Sequence, residues 1–127
     1  MFNNSNFSKT TGAAPVQILA NVQLQYSLGV VVAQGSTAVN ENGKKIIKAG
    51  TPLAGNLDAR TTAFAQATGT NAVGVLLHDV DVTKGNANGT LLVFGFVNTN
   101  RLDTTTKALI TEEVKTALDG KVTFIAC

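Results

Sequence analysis

The sequence has few of the residues that usually carry covalent or metal chemistry. Its 127 residues include one cysteine, one histidine and no tryptophan, and only 14% are charged. A single cysteine excludes an intrachain disulfide. No apolar stretch approaches the roughly 18 residues of a membrane span, and the first residues lack the basic start and apolar run of a secretory signal. These absences predict a soluble protein, made in the cytoplasm, with no membrane partner.

The charges are also too dispersed for nucleic-acid binding. Ten Lys and Arg residues stand against eight Asp and Glu, and the densest basic group is Lys44, Lys45 and Lys48, beside a turn signal at Asn42 and Gly43. Phosphate binding requires a clustered basic patch. A solvated turn explains the three lysines better, so we expect no nucleic-acid partner.

The one histidine lies next to two carboxylates, which makes it the first place to look for a reactive site. A metal site needs three or four converging ligands, but a strand would place Asp79 and Asp81 on one face and His78 on the other. We predict instead that the carboxylates end the strand and brace the next turn by bonding backbone amides. No Gly-x-Ser-x-Gly elbow or Walker loop accompanies them. The sequence therefore predicts no enzyme, no catalytic residue, no metal and no cofactor.

Length and composition predict one domain with an N-terminal arm. The arm, residues 1–14, is rich in Asn, Ser and Thr, and it has too little apolar area to offset the entropy of ordering alone. Either it stays disordered, or the rings of Phe2 and Phe7 anchor it on a neighbouring subunit. Residues 15–127 form the domain, which at this size can bury a core without disulfides or metals.

Strand patterns begin soon after the arm. Residues 22–26 alternate apolar and polar side chains, and residues 30–33 form a β-branched run. Short strands are predicted at residues 46–47 and 121–125, while the Gly- and Pro-containing segment 49–55 predicts a tight turn. Residues 57–67 are ambiguous, since Asp58 could cap a short helix, and we interpret them as an irregular excursion.

The strongest β signal is a hairpin. Its arms, residues 72–82 and 91–97, flank a Gly- and Asn-containing loop at residues 83–90. Both arms are almost continuously apolar, which predicts strands covered on two faces. Because oligomerisation hides apolar residues that one small domain cannot, four residues are candidates shared between core and oligomer interface: Leu91, Val93, Phe94 and Phe96.

The C-terminal region changes to a helical period. Asp103 or Thr111 can serve as the N-cap and Gly120 as the stop, so either one helix or a short turn plus a helix from Thr111 is possible. The predicted fold is α+β and mostly β: a compact β-sandwich or small barrel-like sheet with one C-terminal helix and a flexible arm.

Three blocks carry a resemblance to a known family. Residues 48–55 (KAGTPLAG), 71–83 (NAVGVLLHDVDVT) and 88–97 (NGTLLVFGFV) resemble, in this order, the head decoration proteins of tailed bacteriophages. Residues 118–124 (LDGKVTF) are similar to the closing helix and strand of small head proteins and head-fibre bases from phages of Gram-positive hosts. The resemblance covers most of the chain after about Leu28, and its motifs are short and apolar.

The resemblance implies a virion structural protein. Such proteins are compact α+β domains that bind the outer surface of an expanded capsid and stabilise it, many of them as trimers. Their N-terminal segment commonly orders on the capsid, which makes Phe2, Phe7 and Lys9 the candidate capsid contacts of the arm. It implies the major capsid protein of the same phage as partner, a homotrimer, and a place on the capsid exterior; without a fibre domain, a fibre-like protein would be only the base. The alternative is a virion-displayed module for host or carbohydrate attachment. An exposed aromatic platform would favour that module, but the chain has one Tyr and no Trp.

Overall fold

The structure is a computed structural model, and it describes residues 17–21, 23–35, 37 and 39–126. Strands dominate this part of the chain, and the helices gather near its C-terminal end. The elements, in chain order, are β1 (Tyr26–Val32), β2 (Ile46–Ile47), β3 (Pro52–Ala54), β4 (Ala65–Gln66), β5 (Gly74–Leu76), β6 (Val80–Asp81), β7 (Ala87–Asn98), a 3₁₀ turn (Thr99–Arg101), α1 (Thr104–Lys107), α2 (Glu112–Ala117) and β8 (Val122–Ile125).

The long strand β7 organises the main sheet. Its strand order is β1-β7-β5-β3-β4, with antiparallel pairing throughout, and β8 lies parallel to the last residues of β7. A separate pair joins β2 to β6. One bridge between Val32 and Phe64 also places β1 beside the residue that precedes β4. Leu, Val and Phe fill the middle of β7, and these residues favour a pleated, packed surface.

Two neighbouring leucines of β7 belong to opposite sides of the sheet. Leu91 and Leu92 are both fully buried, as alternation along a strand requires when both faces are covered. One cluster, the Leu92 core, includes Ile18, Val75, Val97, Val114, Leu118 and Val122. The other, the Leu91 core, includes Val30, Val32, Leu53, Phe64, Leu76 and Val82.

A β-bulge interrupts β7 after the two leucines. The pairing with β1 steps from Ser27 opposite Leu92 to Tyr26 opposite Phe94, so Val93 is an extra residue without a partner. Val93 packs against the Leu91 core. In a bulge, two consecutive residues oppose a single residue of the partner strand, so Phe94 lies on the same side of the sheet as Val93.

Helix α2 covers part of the Leu92 core, to which it contributes Val114. Asp103 caps α1, its carboxylate accepting from Thr105 N at 3.3 Å, and Thr111 caps α2, its hydroxyl accepting from Val114 N at 3.3 Å. Gly120, at a φ of 77°, follows the end of α2. The alternative of a short turn plus a helix from Thr111 is confirmed for the helix, whereas the first segment is the short helix α1 rather than a turn. The single C-terminal helix is wrong, because each cap starts its own helix.

The mostly-β α+β class is confirmed, whereas the sandwich or barrel-like arrangement stays a prediction. The short strand at Ile46–Ile47 and the last strand near residues 121–125 are also confirmed. The segment 49–55 turns at residues 49–50 but continues as β3, so a turn throughout is wrong. Residues 57–67 contain the two-residue strand β4 and no helix, and they are otherwise irregular.

The predicted hairpin is right in its pairing and wrong in its extent. β5 does pair with β7, Val75 lying opposite Leu92. The first arm is two short strands separated by a bend at residues 77–79, because β6 turns away to pair with β2. The second arm begins at Ala87, where β1 extends the pairing. The predicted strand at residues 22–26 instead begins at Tyr26, and it continues without a break to Val32 in the predicted β-branched run.

Candidate functional site

The acidic residues beside His78 bind backbone amides. Asp79 Oδ1 accepts from Ala49 N at 2.7 Å, and Lys48 Nζ lies 3.5 Å from its other oxygen. Asp81 Oδ1 accepts from Thr83 N at 2.9 Å and from the Thr83 hydroxyl. The prediction that these carboxylates brace turns is confirmed for Asp81, while Asp79 braces the turn before β3 rather than the one that follows it. His78 is exposed.

The electrostatics of Asp81 suit a structural carboxylate. The hydrogen bond from the Thr83 hydroxyl, followed by that from the Thr83 amide, holds the pKa of Asp81 below its ordinary value; partial desolvation opposes this, and Lys44 and Lys84 add to it. A general acid at neutral pH would need the opposite shift. The group is therefore ionised and held by its own turn.

The described part of the chain offers few groups that could bind a metal ion or act on a substrate. No group of three or more His, Cys, Asp or Glu residues there could hold a metal ion. A cleft of about 840 Å³ lies between β1 and the loop at residues 57–61, and Asp58 and Arg60 are its charged lining residues. Arg60 Nη1 is directed at Gly29 O, at 3.4 Å. The lining contains no imidazole or thiol, so it offers a surface rather than a set of reacting groups.

A neutral, largely apolar surface occupies one side of the sheet beyond the bulge. Tyr26 lies opposite Phe94, and Phe96 lies opposite Thr123; cross-strand partners share a face. Ile125 follows two positions after Thr123 and therefore shares its side. We call this surface, made of Tyr26, Phe94, Phe96, Thr123 and Ile125, the open face. Tyr26 is 61% exposed, and Phe94 and Ile125 are each 41% exposed.

The opposite side of the same strands is covered. Val97, Val122 and Phe124 turn toward the Leu92 core. On the side of the open face, Val93 is the last β7 residue that packs against the Leu91 core. The open face is thus the continuation of a buried sheet surface past the end of the core that covers it.

The predicted interface residues of β7 all lie on this side of the sheet, but they differ in access. Leu91 is wholly inside the domain, and Val93 is half-buried against the Leu91 core. Phe94 is exposed and Phe96 is half-buried. The part of the predicted set that can reach another molecule is therefore Phe94 and Phe96. As an oligomer interface, the set stays a prediction.

Sequence reasoning missed Tyr26, Thr123 and Ile125 as members of this surface. Tyr26 belongs to an alternating run whose apolar residues suggested a core-facing side, but Leu24 and Tyr26 are exposed while Gln25 is half-buried. The pattern of β8 did carry a signal, since Thr123 and Ile125 alternate with Val122 and Phe124. Only the register with β7 shows that they join Phe96.

The predicted capsid-contact residues of the arm, Phe2, Phe7 and Lys9, lie outside the described residues, as does Cys127. No family model matches the chain, and no curated protein matches it either. Within the described ranges, no helix is long and apolar enough to span a membrane.

Proposed function

We propose that this chain is a virion structural protein that binds the outer surface of a phage capsid and stabilises or decorates the shell. The observation that carries the proposal is the resemblance of three sequence blocks, in order, to the head decoration proteins of tailed phages. Its partner is the major capsid protein of the same phage, and its working form is a homotrimer. The chain has no catalytic role in this proposal.

The positions of the three blocks support the proposal. Residues 48–55 contain β3, residues 71–83 contain β5 and β6, and residues 88–97 lie in β7. Strands β3, β5 and β7 are neighbours in the sheet. The three blocks therefore lie together at the centre of the sheet, where proteins that share a fold are expected to keep similar residues.

The physics of a decoration protein asks for binding and nothing more. A protein that binds only the assembled lattice stabilises it by RT ln(1 + [L]/Kd), about 2.7 kcal/mol per site at a hundredfold excess over Kd. Contacts through neutral surface also depend less on salt than ion pairs do. A chain with few charges and braced rather than reactive carboxylates suits this role.

One observation favours the alternative of a virion-displayed binding module. Tyr26 and Phe94 lie side by side and exposed, which is a small aromatic platform of the kind that sugars stack on. The other members of the open face, Phe96, Thr123 and Ile125, include no carboxylate or amide to bond sugar hydroxyls. The platform is therefore better suited to an apolar partner, and a glycan array with the purified protein decides between the two.

The proposal is tested on the parent particle. Cryo-electron microscopy of that particle should show density of this size and fold on the outside of the shell. The purified protein should also co-sediment with particles stripped of it, and the Phe2→Ser/Phe7→Ser double variant should co-sediment more weakly while keeping the wild-type circular dichroism spectrum. Density inside the shell or at the tail, or no co-sedimentation of the wild-type protein, would refute the proposal.

A further inference from the structure

We propose that the open face is the surface through which copies of this chain associate with each other. The inference rests on the proposed function for the existence of a homo-oligomer, and it goes beyond it by assigning the interface to Tyr26, Phe94, Phe96, Thr123 and Ile125. The partner is a second copy of the chain, rather than the capsid or the N-terminal arm.

The charge of the open face fits a partner with the same sequence. In an oligomer every copy carries the same charges, so a like-charge contact at the interface would repeat in each copy. None of the five side chains of the open face is charged; the nearest charge is Lys121, which precedes β8 and, two positions before Thr123, falls on the same side. The described acidic and basic residues otherwise lie on other elements and loops.

The polarity of the face favours a permanent partner. Interfaces of obligate homo-oligomers are more apolar than those of partners that meet after folding separately. On the proposed function, a capsid-docking surface stays in water until the shell has assembled. An exposed surface containing Tyr26, Phe94 and Ile125 is better matched to a copy that is present from the time of folding.

The strand at the border of the face gives a second, independent observation. Among the described strands, β8 pairs with β7 alone. Its sequence VTFI has no charge or proline, two of the features that usually keep an unpaired edge from associating. An unpaired strand edge without these features, next to an apolar face, is expected where a second chain covers the edge.

Sedimentation velocity and light scattering on the full chain test the inference, with matched substitutions. Phe94→Asp places a carboxylate in the open face, whereas Leu57→Asp places one on the loop by the cleft, at a residue with the same 41% exposure. The wild-type protein and Leu57→Asp should self-associate at micromolar concentration. Phe94→Asp should weaken self-association at least about 30-fold, as loss of a central interface residue does.

Tyr26→Asp and Ile125→Asp are parallel variants, so the test does not depend on Phe94→Asp folding; circular dichroism identifies the folded ones. A wild-type monomer at ~100 μM, or folded open-face variants that associate like the wild type, would overturn the inference. Loss of association in Phe2→Ser/Phe7→Ser would assign the contact to the arm and overturn it too. So would a monomeric wild type whose particle binding is lost in Phe94→Asp, because the face would then be a capsid contact.

The same samples separate this inference from the proposed function. A wild-type protein that self-associates through the open face but does not bind the stripped particle refutes the capsid role and leaves the interface in place. A protein that binds the particle as a monomer refutes the interface and leaves the capsid role in place.

Discussion

The two halves of β7 are about equally apolar, but only one of them is covered on both sides. Around Leu91 and Leu92, each face of the strand has its own core. Past the bulge, Val97 still faces the Leu92 core, while Phe94 and Phe96 belong to the open face. The difference comes from the neighbouring elements rather than from the residues of β7 themselves. Apolar content within a strand therefore predicts packing, but not whether the partner is inside or outside the chain.

The largest expected effect comes from truncating one leucine in the fully covered half. Leu92→Ala should lower the free energy of unfolding by about 2–5 kcal/mol, because it leaves a cavity in a core that is closed on all sides. Phe94→Ala should change it by less than about 1 kcal/mol, since the ring is already 41% exposed. Urea titrations at concentrations below self-association measure both. Equal losses in the two variants would mean that the halves do not differ.

A smaller loss is expected where β5 meets β7. Gly74→Ala would place a methyl group 2.5 Å from Leu92 O, a backbone atom that cannot turn away. Overpacking of this kind costs about 1–3 kcal/mol. Gly29→Ala is the matched control, because its methyl group would meet nothing within 4 Å. Thermal melts should show a lower Tm for Gly74→Ala and an unchanged Tm for Gly29→Ala. An unchanged Tm for Gly74→Ala would show that the backbone at Leu92 can shift to accommodate the methyl group.

The third effect tests the cover of the Leu92 core. Thr111→Ala removes the hydroxyl that accepts from Val114 N and should cost about 0.5–2 kcal/mol, while Thr111→Ser keeps the cap and should cost much less. Hydrogen exchange in α2 and in Val97 should rise in the alanine variant. If the cap stabilises only the end of α2, the hydrogen exchange rate of Val97 will be the same as in the wild type.

The smallest effect lies away from β7, at Asp81. Thr83→Val removes the hydroxyl bond, the larger of the two Thr83 hydrogen bonds that lower the carboxyl pKa, so the pKa of Asp81 should rise toward its ordinary value. A lowered pKa in the folded state stabilises the protein above the ordinary pKa, and this stabilisation is lost as the pH falls through the lowered value. The variant should therefore lose less stability on acidification. An NMR titration of Asp81 measures the shift, and an unchanged pKa contradicts its assigned cause.

The sequence allowed the central features of the fold to be predicted. Two adjacent buried leucines in a continuous apolar run predict a strand covered on both faces, and Leu91 and Leu92 are such a pair. Thr111 and Gly120 mark the ends of α2 because capping depends on a few local residues. The bulge at Val93 could not be predicted from the sequence, because it depends on how β7 pairs with β1.

The same limit explains the open face. Tyr26 and Ile125 are 99 residues apart in the chain, and only pairing through β7 brings them to one surface. Composition could suggest that Phe94 and Phe96 exceed what a small domain can bury. It could not show which side of the sheet they occupy, because that depends on strand register, and register is set by long-range contacts.

The unpaired Val93 has a consequence for which side chains the protein shows to its surroundings. Along a regular strand, inside and outside alternate without interruption, whereas a bulge places two consecutive residues on one side and reverses the alternation for every residue that follows. If β7 continued through Val93 without the bulge, Phe94 and Phe96 would turn toward the side occupied by Val122 and Leu118, and Gly95 and Val97 would be presented outward. The bulge thus decides whether the two aromatic rings face the interior or the exterior of the molecule.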